Sequence, residues 1–152
     1  MSMRALLAFA CVAAALPAEA YCIHNELRDR EVFVEQAPVK DKLREDRALS
    51  VKLAPGKQHC CRNLDCNPDG RSESVVTLWI NVLGEPEYKC GFAEGYRDLK
   101  VTGDGTVRVQ HNPRKSSIPY IVRIRSGQKD LTGPAGLSCF PPPPPKDPRE
   151  KK

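Results

Sequence analysis

Six cysteines lie beyond residue 20 of this chain, Cys22, Cys60, Cys61, Cys66, Cys90 and Cys139, and they constrain the fold more than any other feature. Their chemistry depends on compartment, and the N-terminus speaks to that. Met1-Ser2-Met3-Arg4 is a short basic start, Ala5 to Leu16 is an unbroken apolar run, Pro17 ends it, and Ala18-Glu19-Ala20 supplies the small residues that a signal peptidase reads. The run is 12 residues, short of the roughly 20 needed to span a bilayer as a helix. Residues 1–20 are therefore expected to be a cleaved leader and Tyr21 the mature N-terminus, with Cys11 lost alongside. Glu19-Ala20-Tyr21 before Cys22 is too bulky for a lipid-attachment box, and no later stretch is apolar enough to cross a membrane.

An even number of cysteines in an exported chain implies disulfides. Cross-links also suit the composition: aromatics are 6% of residues and charged residues 28%, so the core is modest, and each bridge restricts the unfolded state by about 2–4 kcal/mol. Many pairings are open. Adjacent residues in an extended chain point to opposite faces, so Cys60 and Cys61 are expected to take different partners. The expected set is Cys61 with Cys66, Cys60 with Cys90, and Cys22 with Cys139.

Between the cysteines the chain alternates with a period of two. Val32 and Val34 are flanked by charge. Leu49, Val51 and Leu53 alternate with Ser50 and Lys52. Ser74 to Val82 puts Val76, Leu78, Ile80 and Val82 on one face and Thr77, Trp79 and Asn81 on the other. Val107 and Val109 alternate with Arg108 and Gln110, and Tyr120, Val122 and Ile124 with Arg123 and Arg125. Such alternation marks strands with one buried face. Turn residues fill the gaps, among them Pro55-Gly56, Asn67-Pro68-Asp69-Gly70 and Gly84-Glu85-Pro86. Gly103-Asp104-Gly105 reads as a tight hairpin joining Leu99–Thr102 to Thr106–Gln110. Val39 to Asp46 is the one helical candidate. With Cys22–Asn25 and Tyr88–Phe92 counted as short strands, these predict an all-β, disulfide-stabilised antiparallel sandwich, or alternatively a barrel, of seven or eight strands over residues 21–137. Residues 138–152, with Pro141–Pro145 and a charged end, are expected to be a disordered tail.

Three constellations bear on chemistry. Asp65-Cys66-Asn67-Pro68-Asp69-Gly70 opens like a calcium loop, with Asp65, Asn67, Asp69 and Glu73 as oxygen donors. Val76 stands where the closing bidentate glutamate belongs, and the same residues suit a disulfide-bounded turn, so calcium is the lesser expectation and no other cofactor is implied. His59-Cys60-Cys61 has the wrong spacing for a zinc site. His24, His111 and Lys115 offer the residue types of a small secreted ribonuclease-like hydrolase, but no nucleophile elbow, paired carboxylates or phosphate loop accompanies them.

Charge supplies the functional expectation. The net charge is +5, and leader removal takes one Arg and one Glu, leaving it unchanged. Arg108, Arg123 and Arg125 alternate outward on predicted strands, with Arg114 and Lys115 in the loop between. If those strands are neighbours they form a basic face for an anionic partner: a cell-surface glycan, a lipid headgroup or an acidic protein. Nucleic acid is the less expected partner. Trp79 is either a stacking platform or, as expected here, part of the packed interior. The function anticipated is that of an exported, non-catalytic binding or structural protein of the periplasm or extracellular space. A small hydrolase and a calcium-stabilised module stand as alternatives.

Overall fold

A computed structural model of the chain describes residues 19–37, 49–62, 66–67, 71–91, 98–114 and 116–143. Eleven strands and no helix occur among them: β1 (Glu19–Asn25), β2 (Val32–Gln36), β3 (Ser50–Leu53), β4 (Gln58–Arg62), β5 (Val75–Val82), β6 (Tyr88–Cys90), β7 (Leu99–Thr102), β8 (Gly105–His111), β9 (Tyr120–Ser126), β10 (Lys129–Asp130) and β11 (Leu137–Phe140). The all-β expectation holds, with more strands than the alternation revealed. The extra ones are β4, whose Gln58–Arg62 segment carries no apolar alternation, and β10 and β11, which are too short to show a period. The expected helix at Val39–Asp46, the leader up to residue 18 and the tail from residue 144 lie outside the described residues.

The strands follow one hydrogen-bonded path, β3-β2-β5-β6-β11-β9-β8-β1-β4, with β7 beside β5 and β10 beside β9. The path bends into two layers. β4, β1, β8, β9 and β10 form the first, and β3, β2, β5, β6 and β7 the second. β11 joins them: Leu137 and Ser138 pair with β9, and Cys139 and Phe140 with β6. On the opposite side the chain itself carries β3 into β4 through a turn closed by the Lys57 amide donating to the Ala54 carbonyl, 3.1 Å. The result is a nearly closed, barrel-like sheet. All pairings are antiparallel except β1 with β8.

Asn25, 1% exposed, fastens the β3–β4 side. Its Nδ2 donates to the carbonyls of Leu53 (3.0 Å) and Arg30 (2.9 Å), and its Oδ1 accepts from the Leu27 amide (3.1 Å). A buried amide with both ends satisfied offsets its desolvation and orders the chain segments that it ties. The core between the layers is the inward half of each alternating strand, including Ile23, Val34, Leu78, Ile80, Val107 and Val122, each 0% exposed. Full burial of such side chains stabilises by about 1.5–3 kcal/mol each.

The tight hairpin expected at Gly103-Asp104-Gly105 is not one. The turn is there, but β7 pairs with β5 in the second layer, whereas β8 pairs with β1 and β9 in the first. The two glycines make a corner between layers, and crowding shows why. A Cβ on Gly103 would collide with the Arg71 carbonyl and the Asn67 amide, and one on Gly105 with the Val101 side chain. Local sequence reports a reversal of direction, and only the packing decides whether the flanking strands meet.

The expected end of the body at residue 137 also shifts. β11 runs to Phe140 and buries Cys139 completely, because its second half completes the pairing of β6. At the other end β1 begins at Glu19, before the expected cleavage point, and Tyr21, Ile23 and Asn25 on it are buried.

Candidate functional site: the outer face of the first layer

Disulfides set the first layer's edge. Cys22 and Cys60 are directly opposite in the β1–β4 pair, with Cα atoms 4.0 Å apart. Cys90 and Cys139 are directly opposite in the β6–β11 pair, 3.9 Å apart. Cys61 joins Cys66, 5.9 Å apart. The expected Cys61–Cys66 bridge and the divergence of Cys60 from Cys61 hold: Cys60 points outward to Cys22, and Cys61 is buried. The expected Cys60–Cys90 and Cys22–Cys139 bridges are wrong. Strand partners bring side chains within bridging reach, and the partners of β1 and β6 follow from the path of the sheet, which spacing does not reveal. Three bridges mark an oxidising environment. Among the described residues no helix is long and apolar enough to cross a membrane.

The outward residues form rungs across this layer. One rung runs Gln58, His24, Arg108, Arg123, and the next runs Cys60, Cys22, Thr106, Arg125, Asp130. Arg108, Arg123 and Arg125 therefore share one face on two adjacent rungs, as the alternation implied. Arg114 does not join them, because it follows the C-terminal end of β8, whereas Arg125 sits opposite Thr106 near its start. Lys115 lies outside the described residues.

The three guanidinium groups are not equivalent. Arg108 Nη1 pairs with Glu26 Oε1 at 2.8 Å. Arg123 is the most committed: Nη2 donates to the Pro134 carbonyl at 2.7 Å, and Nη1 lies 3.9 Å from Asp130 Oδ2. With the Gln110 amide turned to satisfy both neighbours, its oxygen accepts from Arg123 Nε at 3.0 Å and its nitrogen donates to Glu26 Oε2 at 3.2 Å. Arg125 is the loosest, with Nη2 3.5 Å from the Gln128 carbonyl. Arg123 thus anchors the segment after β10, while Arg108 and Arg125 flank it as exposed cations.

Asp130 organises that segment. Its Oδ1 accepts from the Thr132 amide and hydroxyl, both at 2.9 Å, and from the Gly133 amide at 3.1 Å. These bonds, chiefly those from Thr132, hold its carboxyl below the usual carboxylate range, and Arg123 adds to the effect.

Of the four expected calcium donors, Asn67 and Glu73 lie among the described residues. Asp65 and Asp69 lie outside them. Glu73 pairs with Arg71 at 2.9 Å and accepts from Ser72, and Asn67 Nδ2 donates to the Arg71 carbonyl at 2.9 Å. Asn67 is 2% exposed, and its Oδ1 is buried with no hydrogen-bond partner among the described residues. Among the described residues no three His, Cys, Asp or Glu side chains cluster as metal ligands.

Nor does the register join the two histidines. His24 is outward and level with Arg108, whereas His111, three residues further along β8, has the opposite parity. His111 Nε2 instead lies 3.1 Å from Asp29 Oδ1, with its ring against Tyr120. Trp79, expected in the interior, is half-exposed on the outer face of the second layer, its Nε1 donating to Asp98 Oδ1 at 2.8 Å. That bond was not legible, since Asp98 reaches Trp79 only because β7 lies along β5.

No protein-family model matches this chain, and no curated protein and no solved structure matches it.

Proposed function

We propose that this is an exported, non-catalytic binding protein that holds an anionic cell-surface glycan against the outer face of its first layer. The leader pattern and the three disulfides support export to an oxidising space. The single observation that carries the binding reading is the register: Arg108 directly opposite Arg123, with Arg125 on the next rung, so that three arginines lie side by side. Each guanidinium carries five N–H donors, and one carboxylate partner leaves several of them available. A flat row of cations suits an extended polyanion better than a small anion, which needs donors converging on a point.

In this reading Arg108 and Arg125 contact the ligand, and Arg123 positions the segment beside them. The test is binding of a sulfated or uronic polysaccharide by wild type and by Arg108→Glu/Arg125→Glu, across a salt series. The Arg108–Glu26 pair is at the surface and worth about 0–1 kcal/mol, so the variant should fold. Binding by wild type, loss of at least about tenfold in the variant and a shallower salt dependence are expected. Equal binding by both proteins defeats the proposal.

A further inference from the structure

The sheet is nearly closed, and the place where closure fails is specific. Near one end of the strands, β6 and β11 bridge β5 to β9 and complete the wall. Toward the other end β7 hangs on β5 and β10 hangs on β9, and β7 and β10 do not pair with each other. Among the described residues β7 is bonded on one edge only, from Leu78–Leu99 to Val75–Thr102. A cleft of about 400 Å³ opens in this seam, lined by Asp98, Lys100, Ile124, Leu131, Thr132 and Leu137.

We propose that the seam is a docking site for an extended peptide that adds as a strand to the open edge of β7, with an apolar side chain in the cleft and a carboxylate on Lys100. Three observations converge. An unpaired strand edge presents backbone donors and acceptors that a further strand satisfies. The cleft reaches core side chains: Ile124 and Leu137 are 2% and 6% exposed, and Leu131 at its mouth is 38% exposed, one of only two large apolar side chains left exposed among the described residues. Its volume is in the range of ligand-binding pockets.

Charge selects the occupant. Asp98 is already engaged by the Trp79 indole, whereas Lys100 makes no ion pair among the described residues. Lys100 is exposed on β7 itself, level with Thr77. A strand carrying acidic residues on one face and apolar residues on the other matches both the lysine and the cleft.

The experiment is an NMR titration of the oxidised protein with a capped peptide alternating valine and glutamate. Two further peptides serve as controls, one methylated on alternate backbone nitrogens and one with lysine replacing glutamate. Expected are shifts in the amides of Leu99–Thr102 and in the signals of Ile124, Leu131 and Leu137. Binding should weaken by about tenfold or more on backbone methylation, because ladder hydrogen bonds are lost. Lys100→Glu and Leu131→Asp, each retaining the wild-type spectrum elsewhere, should weaken it severalfold. Arg108→Glu/Arg125→Glu should leave these shifts intact, which separates this site from the glycan face. Absence of shifts along β7, equal binding of the methylated peptide, shifts confined to the arginine face, or self-association through Leu99–Thr102 without peptide would each overturn the proposal.

Discussion

Two disulfides in this protein have the same local design and opposite surroundings. Cys22–Cys60 and Cys90–Cys139 each link directly opposed residues of an antiparallel pair, with Cα separations of 4.0 and 3.9 Å. They close chain segments of 38 and 49 residues, so loop-closure entropy separates them by only about 0.2 kcal/mol. Yet Cys22 and Cys60 are half-buried on the outside of the terminal β1–β4 pair, whereas Cys90 and Cys139 are 2% and 0% exposed, where β6 pairs with the strand that passes from one layer to the other. The native-state environment, rather than the length of chain tied, has to account for any difference in what the two bridges contribute.

The strongest way to break that comparison is to remove each bridge in turn. Cys90→Ala/Cys139→Ala should cost about 4–5 kcal/mol in urea unfolding, since lost cross-linking is joined by lost packing in a closed interior. Cys22→Ala/Cys60→Ala should cost about 2–3 kcal/mol, the cross-link alone. Equal losses would show that packing around Cys139 adds nothing. The same contrast can be read kinetically: timed thiol reduction with alkylation and mass mapping should open Cys22–Cys60 well before Cys90–Cys139, because attack requires access to a sulfur.

Asn25 sharpens the comparison from the polar side. It ties the edge that Cys22–Cys60 also spans, through bonds to Leu53, Arg30 and Leu27. Asn25→Ala strands these backbone groups and should cost about 2–3 kcal/mol by denaturant titration. A loss near zero would show that the Asn25 side chain adds nothing to the β1–β4 ladder and the disulfide at that edge.

Smaller effects come from ionisation. Burial raises the Tyr21 phenol above its ordinary range, and its hydroxyl donates to Gln36 at 3.4 Å. A phenol that holds its proton more tightly folded than unfolded contributes stability that is complete below the unfolded value. That contribution is lost as pH rises toward the folded value. Stability should therefore fall above about pH 10, by up to about 1.4 kcal/mol per unit, and Tyr21→Phe should flatten that limb. The sign reverses for Asp130. Its lowered carboxyl adds order that is complete above the unfolded carboxylate range and lost as pH falls through the folded value. Acidification should increase amide exchange at Thr132 and Gly133, and Asp130→Asn should show the faster exchange at neutral pH.

How much was legible varies by residue in a way that physics explains. Alternation placed Val76, Leu78, Ile80 and Val82 inward and Arg108, Arg123 and Arg125 outward, and both assignments stand, because side-chain parity is a property of the extended backbone itself. The same parity correctly sent Cys60 and Cys61 to opposite faces. It failed for Trp79, since knowing that a face is the other face does not say whether anything covers it. It could not show that Arg123 is bound to Pro134 and Asp130, which depends on how the segment after β10 folds back.

By itself, then, the sequence determined the strands that are long enough to show a period, the turns between them and the dependence on an oxidising compartment. All of these are local properties of neighbouring residues or of composition. Only the tertiary structure decided which cysteines meet, that the Gly103–Gly105 turn is a corner between layers, that β11 carries the body to Phe140, and that among the described residues β7 pairs only with β5. Those outcomes depend on strand partnership between residues far apart in the chain, fixed by how all the apolar faces are buried together.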